Sequence, residues 1–148
     1  MFLTEDMRDL IVIFTRNSVK YTIVGGFAVN YYGYIRTTQD VDFLIFPSAE
    51  NADKLQESLI EFGFGKAGIP YEYFTKEGTA VHIGVEPNRI DLLTKLSGIS
   101  NTDIFRHIKQ IEFEGLSINI ISKRDLIKCK KASTRLKDLA DAEELEKI

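Results

Sequence analysis

The chain has one cysteine, Cys129, two histidines and no tryptophan among its 148 residues. A lone cysteine makes no internal disulfide and seeds no Cys-based zinc site, and His82 and His107 are too few for a histidine cluster. Any metal is therefore expected on oxygen ligands. Proline and glycine are scarce as well, at 3 and 10 residues, which excludes collagen-like repeats and low-complexity sequence. Long apolar runs are missing: stretches such as Leu10 to Phe14 and Phe43 to Ile45 fall far short of the ~20 residues a membrane span takes. The start, Met1 to Asp6, turns acidic at once and lacks the basic and apolar regions of a secretory signal, so a cytoplasmic location is expected. Neither sign of charge dominates. The 19 Lys and Arg stand against 22 Asp and Glu, a net of −3, so the molecule is no polycation, and contact with nucleic acid would need a local patch.

What is present suits one soluble globular domain over residues 1–148: 44% hydrophobic residues, 28% charged residues of both signs, and a length that supports one core. Thr4 before Glu5 and Asp6 caps a helix over about 5–17, with Met7, Leu10, Ile11 and Phe14 on its apolar face. Tyr21 to Val24 reads as a strand that Gly25-Gly26 stops, Phe27 to Tyr32 as a short helix ended by Gly33, and Val41 to Phe46 as a strand ended by Pro47. Ser48 opens a second amphipathic helix, with Ala52, Leu55, Leu59, Ile60 and Phe62 facing inward and Gly63 and Gly65 ending it. Three pieces, Tyr71 to Thr75, Thr79 to Val85 and Arg89 to Leu93, read as an antiparallel meander. Asp103 to Lys109 reads as helical, and Glu114-Gly115 as the turn of a hairpin. From about 122 the chain is helical, opened by Ser122 to Asp125 and broken near Ser133-Thr134.

The chemistry concentrates in Asp40-Val41-Asp42-Phe43-Leu44-Ile45. On a strand, residues two apart share a face, so both carboxylates leave one side while Val41 and Phe43 face the core. Like charges held this close need a cation between them, and a hard divalent ion, Mg²⁺ above all, suits oxygen ligands. Gly25-Gly26 lies shortly upstream at a strand-to-helix turn, where missing side chains let phosphate approach backbone N–H groups. Asp91 projects from a further strand, opposite to Ile90 and Leu92. Three carboxylates suffice for two metal ions.

Val24-Gly25-Gly26-Phe27-Ala28, then Arg36-Thr37-Thr38-Gln39-Asp40-Val41-Asp42, then Arg89-Ile90-Asp91-Leu92 resembles the nucleotidyltransferase superfamily in the order and spacing of its glycine pair, Asp-x-Asp and third Asp. The tail, from Asp125-Leu126-Ile127 through Lys130, Ala132, Arg135 and Lys137-Asp138-Leu139 to Asp141, is similar to the end of small bacterial members, toxin-type (AbiEii-like) and lincosamide-modifying. The resemblance implies an α+β fold, a small mixed β-sheet with helices packed mainly on one face and a helical C-terminus over about 122–148. It implies a nucleotide-binding, Mg²⁺-dependent transferase that moves a nucleoside monophosphate from a triphosphate such as ATP to a hydroxyl acceptor, releasing pyrophosphate. Asp40, Asp42 and Asp91 would be both catalytic and metal-binding, the last organising the proton of the attacking hydroxyl. The acceptor could be a small molecule, an RNA end or a protein side chain. The alternative is a non-catalytic nucleotide- or partner-binding module of a toxin–antitoxin type system, which has no need for three clustered acids.

Seven basic residues between Lys123 and Lys137 face a single acid, Asp125. From the resemblance, Lys130 is expected on the triphosphate, together with Gly25, Gly26 and Arg36. His82, on the strand face opposite to Val81 and Ile83, reads as a sheet histidine, and His107 and Cys129 carry no assigned role. Little chain follows Asp91, so an acceptor pocket that is shallow or shared is expected, which a homodimer or a partner chain could complete.

Overall fold

The computed structural model describes residues 2–64 and 69–148. Six α-helices and six strands are present among them: α1 (Glu5–Arg16), β1 (Tyr21–Val24), α2 (Gly25–Tyr31), β2 (Asp40–Ile45), α3 (Ala49–Phe62), β3 (Ala80–Ile83), β4 (Arg89–Leu93), α4 (Asn101–His107), β5 (Lys109–Phe113), β6 (Leu116–Ile120), α5 (Lys123–Ala132) and α6 (Leu136–Glu146). Four helices start where a hydroxyl accepts an otherwise unpartnered backbone N–H: Thr4 from Met7, Ser48 from Asn51, Ser100 from Asp103 and Ser122 from Asp125. Gly63 ends α3 in the left-handed conformation. Gly65, expected to share that role, lies outside the described residues.

The strands form one mixed sheet in the order β3-β4-β2-β1-β6-β5. β1 pairs antiparallel with β2 and parallel with β6, β2 and β4 are parallel, and β3–β4 and β5–β6 are antiparallel. Alternation along the strands sorts the residues. Tyr21, Ile23, Val41, Phe43, Ile45, Ile90 and Leu92 are buried and share the face on which Phe14 of α1 packs, its ring 5.6 Å from Tyr21 and 5.4 Å from Phe43. Each such side chain contributes roughly 1.5–3 kcal/mol by leaving water. That apolar face holds β2 and β4 in register, and the opposite face is then free to carry charge.

Several expectations shift by a few residues, and one element changes kind. Tyr71 to Thr75 is not a strand: Tyr71–Phe74 forms a 3-10 turn after Pro70, burying Phe74 and exposing Tyr73. The meander therefore reduces to β3 and β4, and the next neighbour of β4 is β2, reached by a parallel crossover. On α3, Ile60 is 61% exposed while Asn51 and Ser58 are buried. Asn51 spends its amide on the backbone of Lys20 and Phe46, and Ser58 bonds Lys54 O and the Asn17 amide; these polar ties turn the helix. The helix expected over 103–109 is α4, Asn101–His107, and Lys109 already belongs to β5. The Glu114-Gly115 turn stands as read, with φ of 50° and 77°, the double positive that a two-residue hairpin takes.

Candidate active site

The register of β2 against β4 builds the site. Asp42 lies directly opposite Asp91 and Asp40 opposite Arg89, and on the far side of β4 Asp91 faces His82 of β3. Parallel and antiparallel partners opposite one another share a face, so Asp40, Asp42, Asp91, Arg89 and His82 converge beneath one cleft of about 650 Å³. A carboxylate oxygen from each of the three aspartates lies within 4.8 Å of the others.

Gly25 is the side wall. Its φ is +67°, and a Cβ there would stand 2.0 Å from Asp42 Oδ2, so no other residue fits without displacing that carboxylate. At Gly26 a Cβ would meet Thr38 Oγ1 at 2.8 Å and an Arg36 nitrogen at 3.4 Å. The glycine pair therefore lets backbone reach the acids and the loop before β2.

The three carboxyls differ in charge state. Asp91 is buried, which alone would favour its neutral form. Hydrogen bonds outweigh this: Arg89 Nε and Nη2 donate to its two oxygens at 3.0 and 2.9 Å, and His82 Nδ1 lies 2.7 Å from Oδ1. Asp91 is held below the usual carboxylate range. Arg89 Nη2 also donates to Asp40 Oδ2 at 2.9 Å. Asp42 has no cation within salt-bridge distance among the described residues. Burial, followed by repulsion from Asp40, pushes its carboxyl up to about 8, and in its protonated form it hydrogen-bonds Asp91. Three oxygen donors, one of them unpaired beside a glycine wall, are the donor chemistry of a hard divalent cation. The residues fit the metal that the sequence implied.

A second layer of ion pairs closes the cleft from α5 and α6. Arg36 grips Asp141 of α6 with Nε and Nη2, at 3.1 and 2.9 Å. Lys130 of α5 reaches Asp138 at 3.0 Å and Asp141 at 3.1 Å, with only 13% of its side chain exposed. Ser133 donates to Asp138 as well. Arg36 and Lys130, both expected on phosphate, line the cleft, but their charged heads are already paired. Arg135 and Lys137 line it too, Arg135 with 72% of its side chain exposed and 3.9 Å from Asp138.

No family model matches the chain, and no curated protein matches it by sequence. Among solved structures, the crystal structure of the lincosamide antibiotic adenylyltransferase LnuA with lincomycin bound superposes with a TM-score of 0.57, covering 97% of both chains at 14% identity. The chain has a nucleotidyltransferase-like fold. Its mixed sheet, here of six strands, and its helical C-terminus agree with the small mixed sheet and helical end expected from the resemblance.

This nucleotidyltransferase-like fold brings together Asp40, Asp42, Asp91, Gly25, Gly26, Arg36 and Lys130 around one cleft. Sequence reasoning assigned nothing to Arg89, although its position two residues before Asp91 on a strand already put both on one face. It also left out the acids that occupy Arg36 and Lys130. His82 is a sheet histidine as read, yet it holds Asp91 and opens to the cleft with 60% of its side chain exposed. His107 pairs with Asp125 at 3.0 Å, near the start of α5 and outside the cleft lining. No helix among the described residues is long and apolar enough to cross a membrane.

Proposed function

We propose that the protein is a Mg²⁺-dependent nucleotidyltransferase that moves a nucleoside monophosphate from a nucleoside triphosphate to a hydroxyl acceptor. The observation that carries this reading is the convergence of the three carboxylates beside Gly25, with Asp42 lacking a cationic partner. A module that only binds nucleotide or a partner gains nothing from a half-buried carboxylate without a cationic partner, which costs stability. One structural neighbour is an adenylyltransferase captured with an antibiotic, and that reaction type is compatible with the cleft here.

Of the three aspartates, Asp42 and Asp40 would hold the ion, beside Asp91, and it would supply Lewis-acid polarisation and neutralise charge on the phosphates. The glycine pair leaves room for the triphosphate against the backbone, and Arg135 and Lys137 offer the least committed positive charges at the cleft. The acceptor oxygen attacks the α-phosphorus, the bond from that phosphorus to the bridging oxygen breaks, and pyrophosphate leaves with the electron pair. The hydroxyl proton passes towards the Asp91 side of the cleft, where carboxylate and imidazole stand together. Transfer of this kind gathers negative charge on the phosphoryl oxygens and leaving group, which positioned cations stabilise.

The test is incubation with each α-labelled triphosphate, Mg²⁺ and a cell extract, followed by fractionation into small molecules, RNA and protein. Label entering one fraction with stoichiometric pyrophosphate is expected, and its loss in Asp42→Asn. No label in any fraction, with no pyrophosphate released, would overturn the reading.

A further inference from the structure

The two outer acids of the cleft are already paired from within the chain. Arg89 Nη2 lies 2.9 Å from both Asp40 Oδ2 and Asp91 Oδ2, and Arg89 Nε 3.0 Å from Asp91 Oδ1. His82 adds a third contact to Asp91 at 2.7 Å. Asp91 is thus held at both oxygens, and Asp40 at one. The guanidinium fork is planar, permanently charged and matched to a carboxylate. It is anchored at its root, because Arg89 begins β4 with its backbone opposite Asp40. With 32% of its side chain exposed, it sits inside the cleft and not on open surface.

We infer that Arg89 takes the place of one of the two metal ions that three such carboxylates would otherwise hold, so that the cleft binds a single divalent cation, on Asp42 and the remaining oxygen of Asp40. This rests on the nucleotidyltransferase reading and deepens it. The argument is one of charge and donor count. Once an ion is bound and Asp42 has given up its proton, three carboxylates carry three negative charges, the guanidinium cancels one, and a single divalent ion cancels the other two. A second ion would have to displace a bidentate arginine and a histidine from Asp91, or share a site with Arg89 at like-charge distance. Asp42, by contrast, has no competing cation within salt-bridge distance among the described residues.

The experiment counts ions. The metal-free protein is titrated with Mn²⁺ in the presence of a triphosphate whose α–β bridging oxygen is replaced by methylene, and free Mn²⁺ is read by electron paramagnetic resonance. Nucleotide without protein gives the blank. The expected result is one Mn²⁺ per chain for the natural sequence and two for Arg89→Met, whose side chain keeps an unbranched stem and loses the charge. Arg89→Gln, which leaves a polar group between the carboxylates, is expected to bind two as well and serves if the methionine variant does not fold. Two ions on the natural sequence would overturn the inference and leave the nucleotidyltransferase reading intact. One ion on the natural sequence and one on the folded arginine variant would overturn the role given to Arg89. No ion on the natural sequence, with or without nucleotide, would overturn the functional reading itself.

Discussion

Replacing Asp42 with Asn should make the metal-free protein more stable, and the size of the gain follows from its surroundings. Burial first, then Asp40, moves the carboxyl from 3.8 to about 8. Between those values the folded chain keeps a proton that the unfolded chain has lost. Stability in the natural sequence therefore falls as pH rises from about 4 to about 8, by at most ~1.4 kcal/mol per pH unit. At pH 7 about three of those pH units have been crossed, a ceiling of roughly 4 kcal/mol. Lys130 and solvent relieve part of the charge, so about half of that ceiling, ~2 kcal/mol, is the expected gain for Asp42→Asn, which stands permanently for the neutral form. In a chain of this length the melting temperature should rise by about 4–8 °C. The gain should shrink below about 1 kcal/mol at pH 5, and saturating Mg²⁺ with nucleotide should reverse the order, because only the natural sequence gains from the ion. Chemical and thermal unfolding with chelator, at pH 5, 6, 7 and 8, measures all of this. A variant no more stable at pH 7, or a gain independent of pH, would refute the reasoning.

Gly25→Ala should cost about 1–2 kcal/mol for the left-handed backbone alone and should abolish the melting shift given by Mg²⁺ with nucleotide, because the new methyl would stand 2.0 Å from Asp42 Oδ2; a retained shift in a thermal melt counts against the site. Lys130→Ala leaves Asp138 and Asp141 without their shared ammonium and should destabilise by about 2 kcal/mol, whereas Lys128→Ala should stay within about 0.5 kcal/mol. Equal small losses in urea unfolding would show that the Lys130 pairs contribute little. Cys129, its thiol pushed up to about 12 by burial, should resist alkylation at pH 8 until denaturant is added; rapid labelling of the folded protein, followed by mass spectrometry, would contradict that.

The parts of this structure legible in the sequence are those with local causes. Thr4, Ser48 and Ser122 announce helices because a hydroxyl at the cap finds its N–H three residues on. Asp40 and Asp42 declare a common face because the strand period is two, and the same arithmetic covers Arg89 and Asp91 once the strand is granted. Partners distant in sequence were not legible. Nothing near Arg36 says that Asp141 will take its guanidinium, or near Lys130 that α6 will fold back to supply two acids. Tyr71 to Thr75 has the composition of a strand, but composition does not tell whether an edge is open to receive it, and here the chain turns before β3 instead. Ile60 is exposed against expectation because apolar residues alone do not set the inner face of α3, where Asn51 and Ser58 satisfy backbone groups in the interior.

The direct pairing of β2 with β4 has a consequence for the nascent chain. It joins positions 49 apart in sequence, and both halves are needed before any acid meets another across the sheet. While the first 80 or so residues leave the ribosome, Asp40 and Asp42 are ordinary solvated side chains with no Asp91 to repel and no Arg89 to hold. The electrostatic strain arises only in the same event that closes the non-local strand pair, when the apolar side of β4 is already being buried against its neighbours. Without β4 to fix the geometry of β2, tight divalent-ion binding should be weak in every N-terminal fragment ending before β4 and should appear when β2 and β4 pair, which makes manganese uptake a clock for that long-range step of folding.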